Sequence, residues 1–118
     1  MRTAELRTEK GRVVCERCVL ATTPVRRARG LLGRRNLPAG EGILLRPAGS
    51  IHTAFMHFAI DAVFLARDGR VLKVEHALPP WRMAGRRGAH AVLELPAGEA
   101  GRRGLRVGDT IVSEGGER

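Results

Sequence analysis

The sequence predicts a mainly β fold, a single-domain β-sandwich or distorted barrel with one short N-terminal helix at about residues 24–33. Three observations carry this expectation. Short apolar runs recur along the chain with turn residues between them. Asp68-Gly69, flanked by two of those runs, marks a hairpin. Only the segment opening at Thr23-Pro24 combines helical start signals with apolar residues at helical spacing.

Taken in order, Val13 to Ala21 reads as a strand in which Val, Cys and Leu interleave with Glu16 and Arg17. Thr23 can then cap a helix, and Pro24 sits where a missing N–H costs nothing. Val25, Ala28, Leu31 and Leu32 follow at helical spacing, and Gly33 is placed to end the helix. Residues 37–42 form a loop by composition, Ile43-Leu44-Leu45 a short strand, and Pro47 to Ser50 a turn into an extended segment, Ile51 to Phe58. Ala62–Leu65 and Val71–Val74 are the arms of the hairpin. A loop spans Pro79 to Gly88, and Ala91–Leu95 is a strand stopped by Pro96. Residues 98–104 hold at most a single helical turn, and Thr110–Val112 is the last strand.

The length of 118 residues suits one domain, with a core at about 12–112 and loosely ordered ends at 1–10 and 113–118. Hydrophobic residues make up 43% and charged residues 28%, a globular balance. No apolar run approaches the roughly 20 residues of a spanning helix, and the start lacks the apolar stretch of a secretory signal. The expectation is a cytoplasmic protein with no membrane partner.

A net charge of +9 invites polyanions. The cations, however, are nearly all arginine, with Lys10 and Lys73 the exceptions, in a chain rich in Ala and Gly, a skew typical of GC-rich coding. The arginines are scattered as pairs without interleaved aromatics. Nucleic-acid binding is therefore an alternative and not the favoured reading. A Gly-rich phosphate loop and a nucleophile elbow are both missing, and the only serines are Ser50 and Ser113, which removes most hydrolase and nucleotide-binding classes.

Cys15-Glu16-Arg17-Cys18 has the spacing of a redox or half-zinc motif but lies in an extended segment. Extended residues three apart are separated by roughly 10 Å and leave opposite faces of a strand, whereas a disulfide needs Cα atoms about 4.4–6.8 Å apart. A tight turn at Glu16-Arg17 would bring the thiols together, and nothing in the sequence favours one. His52, His57, His76 and His90 form no recognised ligand spacing, so no metal and no cofactor is expected. Asp61 stands inside the most apolar stretch. It must be hydrogen-bonded, paired with an arginine, or facing a cleft. The simplest reading is a carboxylate that binds backbone N–H groups and pins a turn; the sharper one is an acid lining a pocket. Met56 is most simply core packing. Glu94, between Leu93 and Leu95, is read as a partner for one of the many arginines, and Asp109 as a turn residue.

Arg29-Gly30-Leu31-Leu32-Gly33-Arg34, the run from Ile51 through Thr53, Met56 and Asp61 to Leu65, Asp68-Gly69-Arg70-Val71, Leu93 to Gly98, and Gly108-Asp109 together resemble a small prokaryotic family, domain of unknown function 192. The resemblance covers about residues 12–112. Leu32 stands where that family usually has Met and Ala59 where it often has Pro; the Cys15–Cys18 pair lies outside its pattern. The resemblance implies a compact, mainly β domain and directs attention to Thr53, Met56 and Asp61, without bringing a known activity.

The expected function is a non-enzymatic binding or accessory module. Its cleft would be bordered by residues 51–61 and the Pro79-Pro80-Trp81-Arg82 loop, with Thr53, Met56, Asp61, Trp81 and Arg82 as ligand-binding residues. Trp81 supplies an apolar face and Arg82 favours a small anionic ligand. The competing enzymatic reading uses Asp61 with His52 or His57 as acid and base. Oligomeric state and pathway are not legible in one sequence.

Overall fold

The computed structural model describes residues 2–114, without the side chains of Val25, Ala28, Arg29 and Glu114. The fold is mainly β. Nine strands are described: β1 (Thr3–Thr8), β2 (Val13–Ala21), β3 (Glu41–Leu45), β4 (Ser50–His52), β5 (Ile60–Leu65), β6 (Val71–Leu78), β7 (Met83–Gly85), β8 (Ala91–Pro96) and β9 (Ile111–Glu114). Two short helices, α1 (Pro24–Arg29) and α2 (Glu99–Arg102), interrupt them. Seven strands form one sheet in the order β6-β5-β8-β3-β2-β1-β9, and β4 pairs with β7 in a separate ribbon.

All neighbours in the large sheet are antiparallel except β2 and β3. Parallel neighbours need a crossover of a dozen or more residues, and the chain from residue 22 to residue 40, including α1, supplies it. Thr23 caps α1, its Oγ1 accepting from the Arg26 N–H at 3.2 Å. The helix stops at Gly30, whose φ of +50° leaves the helical region. It is thus shorter than the expected span to Gly33, and Leu31 turns inward instead of continuing the helix. The expected apolar positions Val25 and Ala28 lie outside the described side chains.

The sheet is covered on both faces, which explains why β5 is buried at every position. Leu44, Val63, Leu65, Leu93 and Leu95 pack on one face with Leu6, Val14 and Leu20. Ile43, Leu45, Ile60, Ala62, Phe64 and Val92 pack on the other, under Leu31, Leu37, Ile51 and Met56. The sheet is not a closed barrel. Among the described residues its outer strands meet where β6 and β9 begin: Val71 N–H donates to Asp109 O at 2.7 Å, and Ile111 N–H to Gly69 O at 2.9 Å. Gly69 is required there. Its φ is +94°, and a Cβ would lie 2.5 Å from the Ile111 carbonyl oxygen. Gly69→Ala is expected to destabilise the protein by about 3 kcal/mol through this overlap and the unfavourable φ, read as a lowered urea midpoint at unchanged m-value.

Several boundaries differ from the sequence reading. Thr3–Thr8, expected to be loose, is a strand whose Ala4, Leu6 and Thr8 face inward. Of the other expected loose end, residues 115–118 lie outside the described residues. The extended segment Ile51–Phe58 is a strand only to His52; it then turns, with Phe55 at φ +67°. The loop at 79–88 contains β7, the partner of β4. Among the described residues no helix is long and apolar enough to cross a membrane.

The largest local departure is at the cysteines. Ala4 pairs with Cys18 and Leu6 with Cys15, so between these pairs one residue of β1, Glu5, opposes two of β2, Glu16 and Arg17. This bulge turns Glu16 and Arg17 outward and puts both thiols on one face, fully buried in the same core. The opposite-face expectation fails because a bulge breaks the period of two.

Candidate functional site

Asp61 sits on β5 between Ile60 and Ala62. Those neighbours point into one core, so the Asp61 side chain points to the opposite face. It is fully buried. Oδ1 accepts from the Ala77 N–H at 2.8 Å and the Gly98 N–H at 3.1 Å, and Oδ2 from the Ala100 N–H at 2.9 Å. Ala77 lies in a bulge of β6, where the register steps from Ile60↔Leu78 to Ala62↔Glu75. Gly98 and Ala100 flank the start of α2. One carboxylate therefore joins β5, the β6 bulge and α2. It forms no acid–base pair with His52 or His57, both of which are exposed.

Thr53 is likewise consumed by the backbone. Its Oγ1 donates to the Pro79 carbonyl at 2.6 Å and accepts from the Arg82 N–H at 2.9 Å. Its own N–H donates to the Arg82 carbonyl at 2.8 Å. Residues 51–56 and the 79–82 loop do meet, as the sequence reading required. Thr53 is buried at the join, and Trp81 and Arg82 project outward, exposed.

A cavity of about 430 Å³ lies on the other side of the 51–56 segment, between the sheet and the 24–32 segment. Its wall includes Leu31, Met56, Ser50, His52, Arg27 and Glu94. Of the residues singled out in the sequence, Met56, His52 and Glu94 line it. Glu94 is the one whose place in a cavity the sequence reading did not anticipate. It stands on β8, opposite Ala62 of β5 on one side and Ile43 of β3 on the other, in the middle of the sheet. It shares the face of Val92 and is only 3% exposed.

Among the described side chains, which do not include Arg29, Glu94 pairs with no arginine and its carboxyl has no hydrogen-bond partner. Burial alone pushes its pKa from the ordinary 4.5 up to about 7. Glu99, the other buried glutamate, shows the contrast. Burial raises it too, but the guanidinium groups of Arg102, at 2.6 Å, and Arg103, at 2.9 Å, outweigh that and hold it below its ordinary value. Arg27 reaches over the cavity from α1. Its Nη1 donates to the Pro47 carbonyl at 3.2 Å, while its Nε is buried with no partner. Among the described residues the cavity thus carries one buried donor without a partner, Arg27 Nε, and one carboxyl without a hydrogen bond, Glu94, set in Leu, Ile and Met. The signal for Glu94 was present in the sequence: a carboxylate inside Leu93-Glu94-Leu95, on a strand with apolar residues of both parities.

The chain matches the family DUF192, described as "Uncharacterized ACR", over residues 5–113. Two solved structures share the fold. One, from Sinorhizobium meliloti 1021, is described as a candidate transcription regulator; it is 25% identical, with a TM-score of 0.85 over 95% of this chain and 94% of its own. The other, a protein of unknown function from Novosphingobium aromaticivorans DSM 12444, is 26% identical, with a TM-score of 0.80 over 93% and 83%. No curated protein matches the chain.

Proposed function

The chain belongs to the DUF192 family, and from that premise and the cavity geometry we propose a non-enzymatic cytoplasmic module that binds a small anionic ligand under α1. The observation that carries this reading is Glu94, a buried carboxyl with no partner among the described residues, facing a cavity of about 430 Å³. A buried polar group left unpaired costs about 1–3 kcal/mol, and a ligand that satisfies it recovers that energy. The orphaned Arg27 Nε adds the complementary demand. The ligand therefore presents an acidic group to Arg27 and a hydroxyl or amine donor to Glu94. Leu31, Ile51 and Met56 hold its carbon skeleton. Relative to the sequence reading, the site moves from the face beside Trp81 to the far side of the 51–56 segment. Met56 stays in it, and Thr53 and Asp61 become its scaffold.

Thermal unfolding in the presence of small hydroxy acids and amino acids tests this. At least one compound should stabilise the wild type, by about 2.7 kcal/mol at a hundredfold excess over its Kd. Glu94→Gln and Arg27→Gln should each lose the effect. Equal stabilisation of wild type and both variants, or none by any compound, contradicts the proposal.

A catalytic reading rests on the same carboxyl, since a pKa near 7 suits proton transfer at neutral pH. It takes the place of the Asp61–histidine pair, and loss of a turnover in Glu94→Gln with ligand binding retained would favour it. The description of the Sinorhizobium neighbour points towards nucleic acid. Against that, Arg7, Arg17, Arg34, Arg102 and Arg103 are held in ion pairs with glutamates, which occupies their guanidinium groups as phosphate contacts while the net charge stays +9.

A further inference from the structure

Phe55 and Trp81 are 68% and 60% exposed, and Met83, two residues beyond Trp81, is 81% exposed. Both aromatic residues have positive φ, +67° and +65°. Bulky side chains rarely adopt that region, and such strain persists only where surrounding structure enforces it. The enforcing group is Thr53, fully buried between the two turns. Its carbonyl accepts from the Trp81 N–H at 3.0 Å and the Met56 N–H at 3.1 Å, while its hydroxyl bridges Pro79 and Arg82. The result is a rigid edge-to-face pair, ring centroids 4.6 Å apart, held out into solvent. Exposed Arg82 lies between Trp81 and Met83, and exposed Arg86 and Arg87 follow β7.

We propose that this projection docks the protein on an anionic membrane surface, with Phe55, Trp81 and Met83 entering the headgroup region and Arg82, Arg86 and Arg87 contacting lipid phosphates. The partner follows from size, geometry and charge. Three side chains are far too few for a stable protein interface of about 800 Å² per partner, and flanking arginines would repel a second copy of this chain. The interplanar angle of 61° turns one ring's edge to the other's face, so the pair is no flat platform for stacked bases. A few inserted apolar side chains plus basic residues, each worth about 1 kcal/mol at an anionic surface, suffice for reversible membrane binding. This docking stands apart from the cavity beneath α1 and does not depend on it. Such docking departs from the expectation of no membrane partner, which was drawn from the lack of a spanning segment; surface attachment needs no such segment.

Trp81 is the chain's single tryptophan and reports directly. With vesicles of equal parts phosphatidylglycerol and phosphatidylcholine, its emission should shift to shorter wavelength. Phosphatidylcholine alone should give no shift, and added salt should reverse the one seen. Phe55→Gly relieves the positive φ, so its thermal midpoint should equal or exceed the wild type, while its vesicle affinity should fall roughly tenfold or more. Four results would overturn the proposal: no spectral shift with anionic vesicles, an unchanged affinity in Phe55→Gly, Trp81 quenching by a single-stranded oligonucleotide without vesicle binding, or self-association that the same substitution abolishes.

Discussion

Asp61→Asn will destabilise the protein by about 4 kcal/mol, the largest effect expected of any single polar substitution here. The carboxylate accepts from three backbone N–H groups with no exposure to water. An amide retains one acceptor oxygen and turns an NH2 group towards a donor, and each buried donor left unmet costs about 1–3 kcal/mol. The loss falls on the fold and not on a reaction. The β6 bulge at Ala77 and the start of α2 should lose hydrogen-exchange protection together, since one side chain holds both. Urea unfolding measures the total. A variant as stable as the wild type would mean that Asp61 is no architectural tie.

Glu94→Gln works in the opposite direction and depends on pH. The folded-state pKa of Glu94 lies near 7 against an ordinary 4.5, so the native state holds a proton that the unfolded chain releases. The stability from this difference is fully present below about pH 4.5 and is lost as pH rises through about 7. At 1.36 kcal/mol per pKa unit the loss is about 3 kcal/mol. The glutamine variant has no such titration. Relative to the wild type it should therefore gain about 3 kcal/mol between pH 4.5 and pH 8, while ligand stabilisation disappears. Denaturation midpoints of both proteins across that range check the sign.

What the sequence disclosed follows the physics of each segment. Strand β2 has the predicted ends, Val13 and Ala21, because β-branched residues fill it and Thr23-Pro24 stops it. The hairpin was legible in Asp68-Gly69, and Gly69 indeed takes positive φ. Strand β1 was not, since Ala4 and Thr8 are weak signals until β2 and β9 pair with them. The β2 bulge was invisible because its cause is pairing with β1, not any residue at Glu16-Arg17. For the site, Asp61 was legible as a tie because a carboxylate in an apolar run must find donors, and backbone N–H groups are the commonest supply. Met56 was legible as core and proves also to face the cavity. For Glu94 the abundance of arginine suggested a partner on composition alone, and none of the described guanidinium groups supplies one. Which face of β8 carries α1, and whether any guanidinium reaches that face, are facts of topology.

Glu94 is the group on which the proposed site depends, a buried carboxyl facing the cavity beneath α1. Its carboxyl carbon can be followed by NMR through a pH titration, with Glu94→Gln identifying the signal. The expected titration midpoint is near 7, displaced when a small acid that stabilises the protein is added. A midpoint at the ordinary value of about 4.5, unmoved by any such compound, would contradict it.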